Sequence, residues 1–190
     1  MRTKRSLRGV QAIQGTCAAL VLAAVVAVPV FAQTTATFTI SDGSRTANLS
    51  PLVLDATSYS NEDQLTAGQM TLTAEDSSGT GAGWNVTVQA SDFTYQGQYD
   101  GESIPATNLS IDSLGNPSVI AGESISADTG PFAGAGGSLD VARRVLFAGA
   151  GGGKGSYTQE LPVSLTIPGG SVAGSYTSDL TVTISAGPGS

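Results

Sequence analysis

Apolar and polar residues alternate along most of the chain beyond residue 34. Ala36, Phe38 and Ile40 alternate with Thr35, Thr37 and Thr39, and Met70, Leu72 and Ala74 alternate with Thr71 and Thr73. Trp84, Val86, Val88 and Ala90 are spaced by Asn85, Thr87 and Gln89. Leu161, Val163, Leu165 and Ile167 form a fourth run, and Leu180, Val182, Ile184 and Ala186 a fifth. Successive side chains of a strand point to opposite faces, so each run predicts a strand with one apolar face. A one-sided strand buries that face against a second sheet, and the expected fold is an all-β, two-layer antiparallel β-sandwich. Turn residues separate the runs: Ser41-Asp42-Gly43, the Ser/Gly-rich stretch from Asp76 to Gly83, and Pro168-Gly169-Gly170. The last two runs are expected to form a hairpin across that final turn region.

The stretch from Asp112 to Gly155 is less regular. Ser138 to Phe147 lies between two glycine clusters. Leu139, Ala142, Val145 and Leu146 suit a short helix capped by Ser138, whereas Val141, Arg143, Val145 and Phe147 suit a strand. The β character on both sides favours the strand. The glycines from Gly149 to Gly155 read as a flexible surface loop, because the Lys-Ser/Thr ending of a phosphate loop is missing at Lys154-Gly155.

The N-terminus has a different pattern. Arg2, Lys4, Arg5 and Arg8 precede an apolar run from Cys17 to Ala32. This order predicts a secretory signal peptide over residues 1–32, followed by one domain over 33–190. The run contains Pro29 and falls short of the roughly 20 residues a spanning helix needs. No membrane span is therefore expected after cleavage.

Composition then narrows the chemistry. The chain of 190 residues has no His and one Cys, which lies within the apolar run. Removal of residues 1–32 leaves four basic residues against fifteen acidic ones, a net charge of −11. Without His or Cys, the usual zinc, haem and His-dependent nucleophile systems lack their ligands or base. An acidic surface disfavours nucleic acid. No cofactor, no metal and no catalytic residue is expected. Asn61-Glu62-Asp63 and Glu75-Asp76 are the densest acid clusters, but they lack a calcium-loop pattern and read as solvated surface. Arg143-Arg144 is the one adjacent basic pair beyond residue 32; it suits either anionic wall polymers or local carboxylates.

Two segments carry a family resemblance. Ser78-Gly79-Thr80-Gly81-Ala82-Gly83-Trp84-Asn85-Val86 leads into a strand, and Gly174-Ser175-Tyr176 to Leu180-Thr181-Val182-Thr183-Ile184 closes the chain. Together they resemble the WxL domain of Gram-positive cell surfaces, which has a Gly-rich lead into Trp-x-Leu and a late Tyr-x-x-x-Leu-Thr-Trp-x-Leu. Val86 and Ile184 stand where that family has Leu, and Val182 where it has its second Trp. The resemblance implies a secreted, non-catalytic surface protein attached non-covalently to the cell wall, with peptidoglycan glycan as partner and other surface proteins as possible neighbours. It marks Trp84, Val86, Tyr176, Leu180, Val182 and Ile184 as candidate wall-binding residues.

The same residues have a packing explanation. Trp84 can stack on a sugar ring and donate through its N–H, yet alternation places it with Val86, Val88 and Ala90 on a buried face. Tyr95 and Tyr99, flanking Gln96-Gly97-Gln98, are secondary candidates for holding a glycan. The rival function is a structural subunit of a surface coat or pilus-like assembly, polymerising by strand addition at a sheet edge.

Overall fold

The computed structural model describes residues 38–187, so the expected signal peptide lies outside the described residues. Twelve strands follow in order: β1 (Arg45–Leu49), β2 (Gln64–Asp76), β3 (Trp84–Ala90), β4 (Thr94–Tyr95), β5 (Leu109–Ile111), β6 (Ser118–Gly122), β7 (Phe132–Ala133), β8 (Gly137–Ser138), β9 (Arg143–Ala148), β10 (Gly155–Ile167), β11 (Tyr176–Thr177) and β12 (Leu180–Ala186). One sheet runs β1-β2-β10-β5-β8, with β6 also on β10; the other runs β12-β3-β9-β7. The short ribbon β4–β11 stands apart, and all pairings are antiparallel. The architecture is the all-β sandwich expected from alternation. Among the described residues no helix is long and apolar enough to cross a membrane.

The long strand β10 organises the first sheet. It pairs with β2 from Gly155↔Asp76 to Ile167↔Gln64. Its other side is shared, with β6 against Gly155 to Thr158 and β5 against Val163 to Leu165. Pro162 sits at the change of partner. Its carbonyl accepts from the Asp112 N–H at 2.9 Å, so its ring nitrogen faces the same gap. No ladder donor is needed there, which is how a central strand tolerates proline.

The core is the meeting of the two apolar faces. Met70, Leu72 and Ala74 from β2, with Tyr157, Leu161, Val163 and Leu165 from β10, lie against Trp84, Val86, Val88, Val145, Leu146 and Ala148 from the second sheet. Burying a large aliphatic side chain contributes about 1.5–3 kcal/mol. Gln159 occupies one of these inward positions and donates to the Gly115 carbonyl at 2.6 Å, tying the loop before β6 to the sheet.

Three expectations are corrected. Phe38 to Ile40 form no strand, residues 35–37 of that run lying outside the described residues, and the first described strand begins after the Asp42-Gly43 turn, at Arg45. Alternation supplies a face, but a strand also needs a ladder partner, and β1 takes the free edge of β2. The last two apolar runs are not a hairpin. Both sides of β10 are occupied, and β12 crosses to the second sheet to pair with β3. Asp76 is not on the solvated surface. Its side chain is fully buried, 3.2 Å from Arg45 Nε, and it accepts from the Ser78 backbone N–H at 2.9 Å. The 138–147 stretch resolves as strand from Arg143 onward.

Removing one partner of a buried ion pair leaves the other charge uncompensated. Asp76→Ala should therefore lower unfolding free energy by about 3 kcal/mol, read from the urea midpoint at unchanged slope.

Candidate functional site

The two segments that resemble a known motif are neighbours in the second sheet. Strand β12 pairs with β3 so that Ile184 faces Val86, Val182 faces Val88 and Leu180 faces Ala90. All these side chains point inward. Trp84 and Val86 are wholly buried, while Leu180, Val182 and Ile184, on an edge strand, are half-buried against the core. Val182 thus fills an inward position beside Val88.

Trp84 is 0 % exposed. Its cross-strand neighbours are Ala148 and Ala186, and small residues on both sides leave room for the indole. The Nε1–H donates to the Gly153 carbonyl at 2.9 Å, and the Tyr157 ring lies 6.2 Å away, tilted by 39°. The glycine run over 149–155 therefore forms a cover over the indole, which corrects its reading as a flexible surface loop. Gly153 has φ +77°, and a Cβ there would come within 2.4 Å of Ala148 Cβ and 2.8 Å of Trp84 Nε1. In this fold the indole offers no face for stacking on a sugar.

Tyr176 is placed differently. It pairs with Tyr95 across the β4–β11 ribbon, the rings meeting edge to face at 5.3 Å. Tyr95 Oη donates to the Ala173 carbonyl at 2.9 Å and Tyr176 Oη to the Val172 carbonyl at 2.8 Å, so both hydroxyls fix the loop before β11. Burial and the neighbouring Tyr95 push the Tyr176 hydroxyl above its ordinary 10.0. Tyr99 is exposed, its N–H 3.4 Å from Tyr95 Oη.

Beside Tyr176 opens a cleft of about 270 Å³. Phe93, Ile104 and Ile167 contribute an apolar lining, and Asp55, Tyr59 and Gln64 contribute polar groups. A second depression of about 380 Å³, lined by Leu52, Leu54 and Leu180, shares Phe93 and Tyr176 with it. Tyr59 is 62 % exposed, with its hydroxyl donating to Asn61 Oδ1 at 2.8 Å. This wall comes from the segment after β1, which runs beside β2: Thr71 N–H bonds Ser50, and Thr66 Oγ1 donates to the Asp55 carbonyl at 3.0 Å. Sequence reasoning missed the segment because it has no alternation; Tyr59 between serines was its one visible signal. An apolar lining with hydroxyl, amide and carboxylate groups suits a ligand with both methyl and hydroxyl groups. Among the described residues no group of three or more acidic side chains could hold a metal ion.

Trp84→Phe keeps an aromatic ring but removes the indole's second ring and strands the Gly153 carbonyl; a loss of about 2–3 kcal/mol is expected in urea unfolding, and Gly153→Ala should also destabilise. Tyr157 gives a pH test. Burial first, then the Glu123 and Asp76 carboxylates, hold its hydroxyl above the ordinary 10.0. The folded state keeps a proton that the unfolded chain loses, so this contribution is complete below pH 10 and fades as pH rises through the folded value. Tyr157→Phe should flatten the alkaline decline of stability.

A family model described as WxL domain, surface, cell wall-binding matches residues 24–188. Comparison with curated proteins and with solved structures finds no match. The matched span includes both strands of the paired motif and every residue of the Tyr176 cleft. The chain belongs to the WxL family of surface, cell-wall-binding domains.

Proposed function

We propose that residues 1–32 export the chain as a signal peptide, and that the domain over 33–190 holds to peptidoglycan without catalysis through the cleft beside Tyr176. Attachment to the wall at the cell surface follows from the family; the ligand and the site are the reading offered here. The observation that carries it is the cleft's mixed lining. Tyr59 presents an exposed ring that a sugar can cover, Gln64 and Asp55 can meet hydroxyl and amide groups, and Phe93 with Ile104 can receive alanyl or lactyl methyls.

In this reading the motif residues have two roles. Trp84, Val86, Leu180, Val182 and Ile184 hold β3 and β12 together from the buried side, and Tyr176 carries that order into the cleft wall. Tyr95 braces Tyr176, and Tyr99 lies at the outside of the brace.

Sedimentation with purified, protein-free cell walls tests this. The wild-type domain should pellet with walls. Tyr59→Ala should weaken binding about threefold to tenfold, the worth of one aromatic contact, at unchanged thermal midpoint. Undiminished pelleting of Tyr59→Ala and Gln64→Ala together would contradict the cleft. Strand β6, whose five residues are all exposed, favours one competing outcome: ordered oligomers formed without walls would support strand addition and a structural subunit instead.

A further inference from the structure

The outermost strand of each sheet has one row of N–H and C=O groups without a ladder, and so can still take another strand. Most edges of this domain are blunted. Strands β7 and β8 have two residues each. Strand β6 is irregular: Ala121 pairs with Ser156 but Val119 with Tyr157, so Ile120 is an extra residue that adds local twist. Strand β1 opens with Arg45, whose charge is held by Asp76.

Strand β12 carries none of these devices. Its seven residues, Leu180 to Ala186, include no charged residue, no proline and no register shift. All of its ladder runs to β3, from Leu180↔Ala90 to Ala186↔Trp84, so its other side is unpaired among the described residues. Both ends are fixed. The Asp179 carbonyl accepts from the Ser91 N–H at 2.9 Å, and the Gly187 N–H donates to the Gly83 carbonyl at 3.1 Å. Leu180, Val182 and Ile184 are only half-buried, because no further strand of their sheet covers them on that side. The result is a regular edge about 23 Å long whose apolar row is left incomplete.

Symmetry and charge select the occupant. An antiparallel strand can pair with its own copy about a two-fold axis. With the axis through Thr183, each side chain meets one of its own kind. Val182 falls opposite the second copy's Ile184, Leu180 opposite its Ala186, Thr181 opposite its Ser185, and Thr183 opposite Thr183. A shift of one residue would set inward apolar positions against outward hydroxyls. The domain is strongly acidic, so two copies repel one another over most of their surfaces. Asp179 directly precedes the edge. In this register it stands opposite the second copy's Gly187, and the two Asp179 residues lie about 26 Å apart, beyond a screening length of about 8 Å. Asp140 lies on the other side of β3, where the preceding Leu139 carbonyl takes the Ala90 N–H at 2.8 Å. Beside Leu180, the depression lined by Leu52 and Leu54 gives the second copy's chain an apolar shoulder beyond its Ala186.

We propose that the free edge of β12 is a dimer interface, at which a second copy of this chain adds its own β12, antiparallel about a two-fold axis through Thr183. Self-pairing uses up the edge in both copies, so the assembly closes at two and does not extend. Seven residues on each side bury less than the roughly 1,200 Å² of a standard interface, which sets the dissociation constant at about 10–100 µM. Under the wall-binding reading the dimer carries two clefts beside Tyr176 and gains avidity; this consequence rests on that reading, and the pairing does not.

Sedimentation equilibrium of the exported domain over about 1 µM to 1 mM tests the pairing, and a monomer–dimer equilibrium is expected. A monomer at every concentration would overturn it, and growth past the dimer would overturn the closed pair in favour of open strand addition. Thr183 is exposed and meets only itself in this register, so a charge there acts on the pair and not on the core. Thr183→Lys and Thr183→Glu should each dimerise at least about tenfold more weakly at unchanged thermal midpoint, and their equimolar mixture should recover the wild-type affinity. Unchanged dimerisation of either variant would place the interface elsewhere, and a mixture that fails to recover would overturn the two-fold register. On purified walls, at concentrations where the wild type dimerises, it should bind about tenfold more tightly than Thr183→Lys, although the added positive charge alone would favour an anionic wall. Equal binding would refute the avidity and leave the pair standing. Dimerisation without any wall binding would refute the wall-binding reading alone.

Discussion

The structure depends on one buried donor. Trp84 sits in a dry core, and an indole N–H taken out of water must find an acceptor or cost about 1–3 kcal/mol. The acceptor is the Gly153 carbonyl, which can approach to 2.9 Å only because that residue has no side chain. The requirement spreads outward. Ala148 and Ala186 leave width for the ring, and Gly83 keeps the Ala148 carbonyl within 2.6 Å of where its own Cβ would stand. Tyr157, whose hydroxyl lies 2.9 Å from the Glu123 carbonyl and 3.1 Å from that of Lys154, fastens the end of the same cover. The glycine-rich segments around 79–83 and 149–155 are thus parts of one tryptophan seat.

That seat holds the residues of the family motif on the buried side. The motif side chains on β3 and β12 face inward, so a valine at residue 182 is a packing exchange beside Val88 and not the loss of an exposed platform. In the proposed reading, recognition falls to surfaces that the seat holds in place. The same two strands turn a row of hydroxyl and amide groups outward, and β12 leads back through Tyr176 to the cleft under Tyr59. A rigid pleated support suits such a task, because side chains fixed on strands lose little freedom when a ligand arrives.

Alternation made the sandwich and most of its core legible. The inward sets of β2, β3 and β10 are the apolar sets read from sequence. What escaped was decided by contacts distant in the chain. The crossing of β12 to the second sheet depends on β10 having no free side, which no local pattern records. Asp76 looked solvated because its partner Arg45 lies 31 positions earlier. The glycine run looked flexible because its partner is an indole 69 residues away. Of the candidate site, Tyr176 and its brace Tyr95 were visible, whereas Asp55 and Tyr59 were not, since the segment before β2 follows its neighbour without a regular ladder and so without a regular pattern.

Trp84 is the chain's single tryptophan, so its fluorescence reports the central point directly. In the folded domain its emission should be blue-shifted and insensitive to acrylamide, and soluble wall fragments should leave both properties unchanged while they bind. Red-shifted emission that acrylamide quenches readily and wall fragments protect would contradict the buried seat and place the indole at the ligand.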